Sequence, residues 1–265
     1  MTTVRWTELK PEEFETRLAA RPLVYLPMGM CEPHGHAAAF GLDLLKAEDI
    51  CDAAAAQFGG IVAPSQGYHI HEVGYHAPWL DEVVGTVNPR MAALPPDVVL
   101  RSLLFQLRAF VNAGFRSIAV ITGHNGAQAD LRMVAEEFTK LVPVPVTVRS
   151  DPELVAGTYP GDHAGKFELS QLLHLRPELV DMDRLDRTTT SPLGRFAQGP
   201  DAAEASAGYG KQIIDASVAA VGALVDDAGQ GPADLPLLSM EAVEPAWTAI
   251  ARRRPDWVSY GPVAG

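Results

Sequence analysis

The chain has 265 residues, 47% hydrophobic and 20% charged, which is ample for the core of one large α/β domain or two small ones. A net charge of −12 argues against nucleic acid or an anionic membrane as partner. No apolar run reaches the ~18 residues of a bilayer span. The opening "MTTVRWTELKPEEFETRL" lacks the apolar core of a signal peptide, and two cysteines, Cys31 and Cys51, suit a reducing cytoplasm; the expected location is cytoplasmic.

In chain order, "PLVYLP" (22–27) reads as a buried strand and residues 43–57 have helical spacing. "GIVAPS" (60–65) is a second strand, followed by a polar and aromatic loop through residue 95. "PPDVVLRSLLFQLRAFVNAG" (95–114) has Pro at a helix start and Gly past its end. "RSIAVIT" (116–122) is a third strand, 127–141 a helix, and "VPVTVRS" (144–150) a fourth strand whose prolines place it near an edge. A helix opens around Ala164, and an Ala-rich stretch after Ala203 predicts one more. The loop "TTTSPLGRFAQGP" (188–200) is a connection rather than a domain linker. Alternating strands and amphipathic helices predict an α/β fold: one domain over 1–265, a mainly parallel sheet with helices on both faces in a three-layer α/β/α sandwich.

In such sheets ligands gather at the carboxyl ends of the strands. "MCEPHGH" follows the first strand, "QGYHIHEVGYH" the second, "GHNG" the third, and "GDHAGKFELS" lies some ten residues after the fourth; seven of the eight histidines fall in these segments. Glu32 and His34, two apart in an extended segment, share one face. With Asp43 near the next helix start they form a donor set suited to Zn²⁺, Mn²⁺ or Fe²⁺, though a solvated loop has the same composition. An aspartate bridging two cations roughly 3.5–4 Å apart would make a two-metal hydrolytic site. His124 fits either a hydrogen-bonded turn or a ligand site. Asp162 fits an N-cap, with His163 placed to relay a proton at the helix end. Glu168, on an apolar helix face with Phe167, Leu169 and Leu172, needs a partner, and a cation would be one. Cys31 reads as a small filler rather than a nucleophile, and no dinucleotide, P-loop, GxSxG or HExxH motif occurs.

Taken together, "EPHG" with Asp43, "VVGTVNP" (83–89), "TGHNG" and "DHAGKFELS" resemble the signature of the creatininase (creatinine amidohydrolase) family over residues 5–185. The resemblance implies a four-stranded parallel sheet, a metal-dependent hydrolase acting on a small cyclic substrate, and a homo-oligomer, commonly a hexamer. Carried over by position, Glu32, Asp43 and His124 would hold one Zn²⁺ or Mn²⁺, and His34, the bridging Asp43 and Glu168 a second. Gly126 stands where creatininase has its last ligand, so Glu168 is the expected replacement. His163, oriented by Asp162, would pass the proton. His36, His69, His71, His76, Trp79 and Asn125 would contact substrate. "HAAAFG" replaces the usual His-Leu-Pro, and Lys166 stands where a Glu is frequent; such departures bear on the substrate rather than the metal set. The bond cleaved is expected to be a cyclic amide C–N bond, with the C–C bond of an inosose-type diketone as the alternative. A non-catalytic metal- or sugar-binding protein on the same fold is the reading from another class.

Overall fold

The computed structural model describes residues 3–74, 76–85, 88–188 and 196–260. Tyr75, then Thr86 and Val87 of "VVGTVNP", and most of the 188–200 loop lie outside the described residues. In chain order the elements are α1 (Pro11–Ala20), β1 (Leu23–Met28), α2 (Leu42–Phe58), β2 (Ile61–Val62), α3 (His76–Val84), α4 (Pro96–Asn112), β3 (Ser117–Thr122), α5 (Gln128–Leu141), β4 (Val146–Ser150), α6 (Asp151–Leu154), α7 (Lys166–Leu175), α8 (Ala207–Ala228) and α9 (Glu244–Arg252).

The strands form one parallel sheet in the order β2-β1-β3-β4, with Val24 opposite Ile61 and Leu26 opposite Val120. Every residue of β1 and β3 is buried, as expected of central parallel strands covered on both faces. Period-2 alternation divides the core. Val24, Leu26 and Met28 pack with Leu100, Leu103, Leu107, Leu131, Val134 and Ile250, whereas Leu23 and Tyr25 pack with Ile50, Ala54, Val218 and Val221. Helices α4, α5 and α9 therefore cover one face and α2 and α8 the other, giving the three-layer α/β/α sandwich. The C-terminal part closes both layers, and α9, which the sequence pattern did not reveal, supplies Ala246 and Ile250 to the core.

Three elements differ from expectation. β2 has only two ladder residues because Pro64 has no N–H to donate; pairing resumes at the isolated Met28–Gln66 bridge. The expected loop through residue 95 contains α3, which buries His76 and Val84 but has no long apolar stripe to announce it. Helix α7 begins at Lys166, not Ala164, because Ala164 has φ +51° and turns the chain before the helix starts.

Candidate metal centre and active site

All four polar segments meet at the carboxyl edge of the sheet. A Cβ on Gly29 would lie 2.5 Å from the Leu44 amide nitrogen, and one on Gly123 would strike the Asp43 carbonyl. These bare backbones let the first turn of α2 press against the ends of β1 and β3. Asp43 and Lys46, one turn apart, are thereby buried beside the strand ends.

Glu32, His34, Asp43, His124 and Glu168 are all buried, at 1 to 4% exposure. His124 Nδ1 lies 2.7 Å from Glu32 Oε1 and 3.4 Å from Asp43 Oδ2. His34 Nε2 lies 3.1 Å from Asp43 Oδ1 and 3.5 Å from Glu168 Oε2. The two oxygens of Asp43 thus face opposite halves of the cluster. His34 Nδ1 sits 3.0 Å from the Glu32 carbonyl oxygen; an N–H donated there leaves Nε2 with a lone pair aimed at two carboxylates. Acceptors converging in this way need a proton or a metal between them. Among the described residues, Glu32 Oε2, Asp43 Oδ2 and His124 Nε2 are buried without a hydrogen-bond partner. Donor type, spacing and these unsatisfied oxygens fit a divalent cation.

The charge balance points the same way. Burial opposes protonation of His34, but Asp43, Glu168 and Glu32 outweigh it and raise its pKa to about 9. His124, likewise buried, is raised to about 10 by Glu32 and Asp43. Burial pushes Glu32 up, yet the facing His124 and His163 hold it well below the usual carboxylate range. Without a metal, protons on the imidazoles offset the carboxylates.

A cavity of about 580 Å³ opens above this cluster, lined by Glu32, His71, His76, Trp79, His124, Asn125, Asp162, His163 and Glu168 among others. His71 Nε2 lies 3.0 Å from Glu32 Oε2 without hydrogen-bond alignment, and its Nδ1 accepts the Glu72 N–H, which puts the ring proton on Nε2. Glu32, His71 and His124 form one group close enough to share a cation, and His34, Asp43 and Glu168 another. The ring of His76 occupies the space a side chain at Gly126 would need, so the substituted position is filled from α3.

Some expected roles are not where the sequence put them. His36 and His69 are not among the cavity's lining residues. His36 stacks on Phe196 instead, and His69 is fully buried, its Nδ1 accepting the Ile70 N–H. Asp162 does not orient His163. Its oxygens accept the N–H groups of Gly165, Phe167 and Glu168 at the start of α7. His163 is held instead by Nε2, 2.9 Å from the Pro33 carbonyl, and by stacking on His34 at 4.7 Å. This leaves Nδ1 as its basic nitrogen, 4.0 Å from Glu168 Oε2. Burial, then the Asp43 charge, pushes the partly buried Cys31 thiol up, which disfavours the thiolate a nucleophile needs.

Sequence reasoning missed two charged residues. Lys46 is fully buried with Nζ 2.5 Å from Glu168 Oε1 and 3.2 Å from Asp151 Oδ2. A signal existed, because Lys46 falls on the buried stripe of α2 with Asp43, Ala47 and Ile50. Asp151 follows β4 directly, at the sheet edge where ligands gather.

The family model for creatininase, described as creatinine amidohydrolase, matches residues 7–225. The chain belongs to the creatininase family. This chain is a metal-dependent hydrolase of that family. It is 29% identical to creatinine amidohydrolase of Pseudomonas putida over 67% of this chain and 74% of that protein. It is 25% identical to 3-dehydro-scyllo-inosose hydrolase of Thermotoga maritima over 75% of this chain and 64% of that protein. Among solved structures, a zinc–zinc form of a mutant creatininase superposes with a TM-score of 0.72 at 22% identity, covering 86% of this chain and 98% of that one. That likeness establishes the creatininase fold.

Proposed function

We propose that this protein opens a small cyclic amide by hydrolysing its C–N bond in the cavity above the buried cluster. The convergence of Glu32, His34, Asp43, His124 and Glu168, with unsatisfied carboxylate oxygens, at the floor of that cavity carries the reading. Glu32, Asp43 and His124 would hold one divalent ion, and His34, Asp43 and Glu168 a second, Zn²⁺ or Mn²⁺, with Fe²⁺ also suited to the donors. The bound metal supplies Lewis acidity and lowers the pKa of water. Water adds to the carbonyl carbon, the C–N bond breaks, and the leaving nitrogen takes a proton. His163, on the cavity wall with its Nε2 anchored on the Pro33 carbonyl, is the residue placed to take that proton from the attacking water at Nδ1 and pass it to the leaving nitrogen. His71, His76, Trp79 and Asn125 would enclose the substrate ring.

A second reading, hydrolysis of a C–C bond in a cyclic diketone, is favoured by the similarity to the inosose hydrolase and by a histidine-lined wall able to bind hydroxyl groups. One screen tests both. The purified protein is analysed for metal and assayed on lactams, cyclic ureides and oxidised inositols. Turnover of a lactam or ureide that is lost on chelation and restored by Zn²⁺ or Mn²⁺ supports the first reading; turnover confined to oxidised inositols replaces it with the second. A chelated sample that keeps all its activity refutes the metal mechanism. The assembly we expect is a homo-oligomer, a hexamer by family resemblance, and light scattering showing a monomer at micromolar concentration would refute it.

A further inference from the structure

The two halves of the cluster are not equivalent, and the difference lies in Lys46. Its ammonium is fully buried, 2.5 Å from Glu168 Oε1, 3.2 Å from Asp151 Oδ2 and 3.9 Å from Asp43 Oδ1. Glu168 is already served at both oxygens, because Oε2 accepts the Ala164 N–H at 2.8 Å. The positive φ of Ala164 is a backbone strain held at this contact. Glu32 is the opposite case: Oε1 meets His124 Nδ1, and Oε2 has no aligned partner among the described residues. A dication beside His34, Asp43 and Glu168 would share its carboxylates with a fixed ammonium and be repelled by it in a buried, weakly screened site. A dication beside Glu32, Asp43 and His124 would share only Asp43 with it, whose Oδ1 is 3.9 Å from the ammonium, while Glu32 and His124 have no contact with Lys46.

We propose that Lys46 is a built-in cation at the second metal position, so that the protein holds one divalent ion firmly at Glu32–Asp43–His124 and a second only weakly at His34–Asp43–Glu168. This rests on the metal-hydrolase reading and goes beyond it, since a buried lysine at this place is a property of this chain's own helix α2.

The test reads metal rather than turnover. Metal-free wild-type protein is titrated with Zn²⁺, and separately with Mn²⁺, against a competing chelator, and bound metal is counted after dialysis. Wild type should retain one equivalent, with a second binding at least about a hundredfold more weakly. Lys46→Met, checked for folding by circular dichroism, should strengthen the second binding step by roughly tenfold or more and retain close to two equivalents. Two equally tight equivalents in wild type overturn the inference while leaving the hydrolase reading intact. Loss of second-site affinity in folded Lys46→Met overturns it too, by making Lys46 a support for Glu168 rather than a competitor. Absence of binding at either position overturns both. The wild-type titration decides the matter even if Lys46→Met fails to fold.

Discussion

The Glu32–His124 half of the buried cluster and the Lys46–Glu168 half are built from the same chemistry, carboxylates facing imidazoles, and both are buried at the floor of the cavity. They differ in how charge is closed. In the first, Glu32 Oε2 and His124 Nε2 are left without hydrogen bonds among the described residues, so closure depends on something brought from outside. In the second, Lys46 is held by Glu168 and Asp151. Burial pushes the Asp151 carboxyl up to about 7, even though Lys46 pulls it down. Two neighbouring sites with similar donors can therefore have different demands for a metal, because a buried carboxylate is satisfied by any adequately placed cation.

The largest effect expected on this comparison is at Asp43, which faces both halves. Asp43→Ala should strip most bound metal and lower turnover by about 10³-fold or more, since neither position keeps its bridging carboxylate. Full metal occupancy in that variant would show that the halves do not share Asp43. Glu168→Gln touches only the half containing Lys46: most turnover should be lost while the firmly held equivalent stays, and elemental analysis checks the separation. His163→Ala, on the cavity wall beside both halves and 4.0 Å from Glu168 Oε2, should lower kcat by about 10² to 10⁴-fold and change metal content far less than Asp43→Ala.

A smaller effect concerns pH in the metal-free protein. His34 and His124 have folded-state pKa values raised to about 9 and about 10, above the ordinary imidazole value near 6.5. Groups raised on folding contribute stability that is complete below about pH 6.5 and disappears as pH rises through 9 to 10. The melting temperature of the apo-protein should therefore fall between pH 7 and 10, and added Zn²⁺ should flatten the decline by replacing the lost protons. A flat apo-protein profile would mean that the imidazoles are not protonated in the folded state. The smallest effect belongs to Lys166, half-buried and paired at 3.0 Å with Glu204 over the Tyr209 ring. Lys166→Met should leave metal content as it is, in contrast with Lys46→Met one helix away.

The sequence alone determined the sheet and most of its helices, because apolar strands and amphipathic helices obey periods of two and 3.6 that need no long-range information. It also marked Glu32, His34, Asp43, His124, His163 and Glu168 as neighbours at one sheet edge, since parallel topology sends every strand's carboxyl end to the same side. Tertiary structure decided what depends on direction and distance. Helix α3 brings His76 into the space left by Gly126, and the histidines of that segment divide between cavity wall and core, with His71 and His76 in the wall and His69 in the core. Asp162 was assigned to His163 by adjacency, but the unpaired N–H groups at the start of α7 claim its oxygens first. Lys46 was hidden for the same reason. A lysine on a helix reads as solvated surface until packing shows three carboxylates around its ammonium, and only the approach of α2 to Gly29 and Gly123 sets that distance.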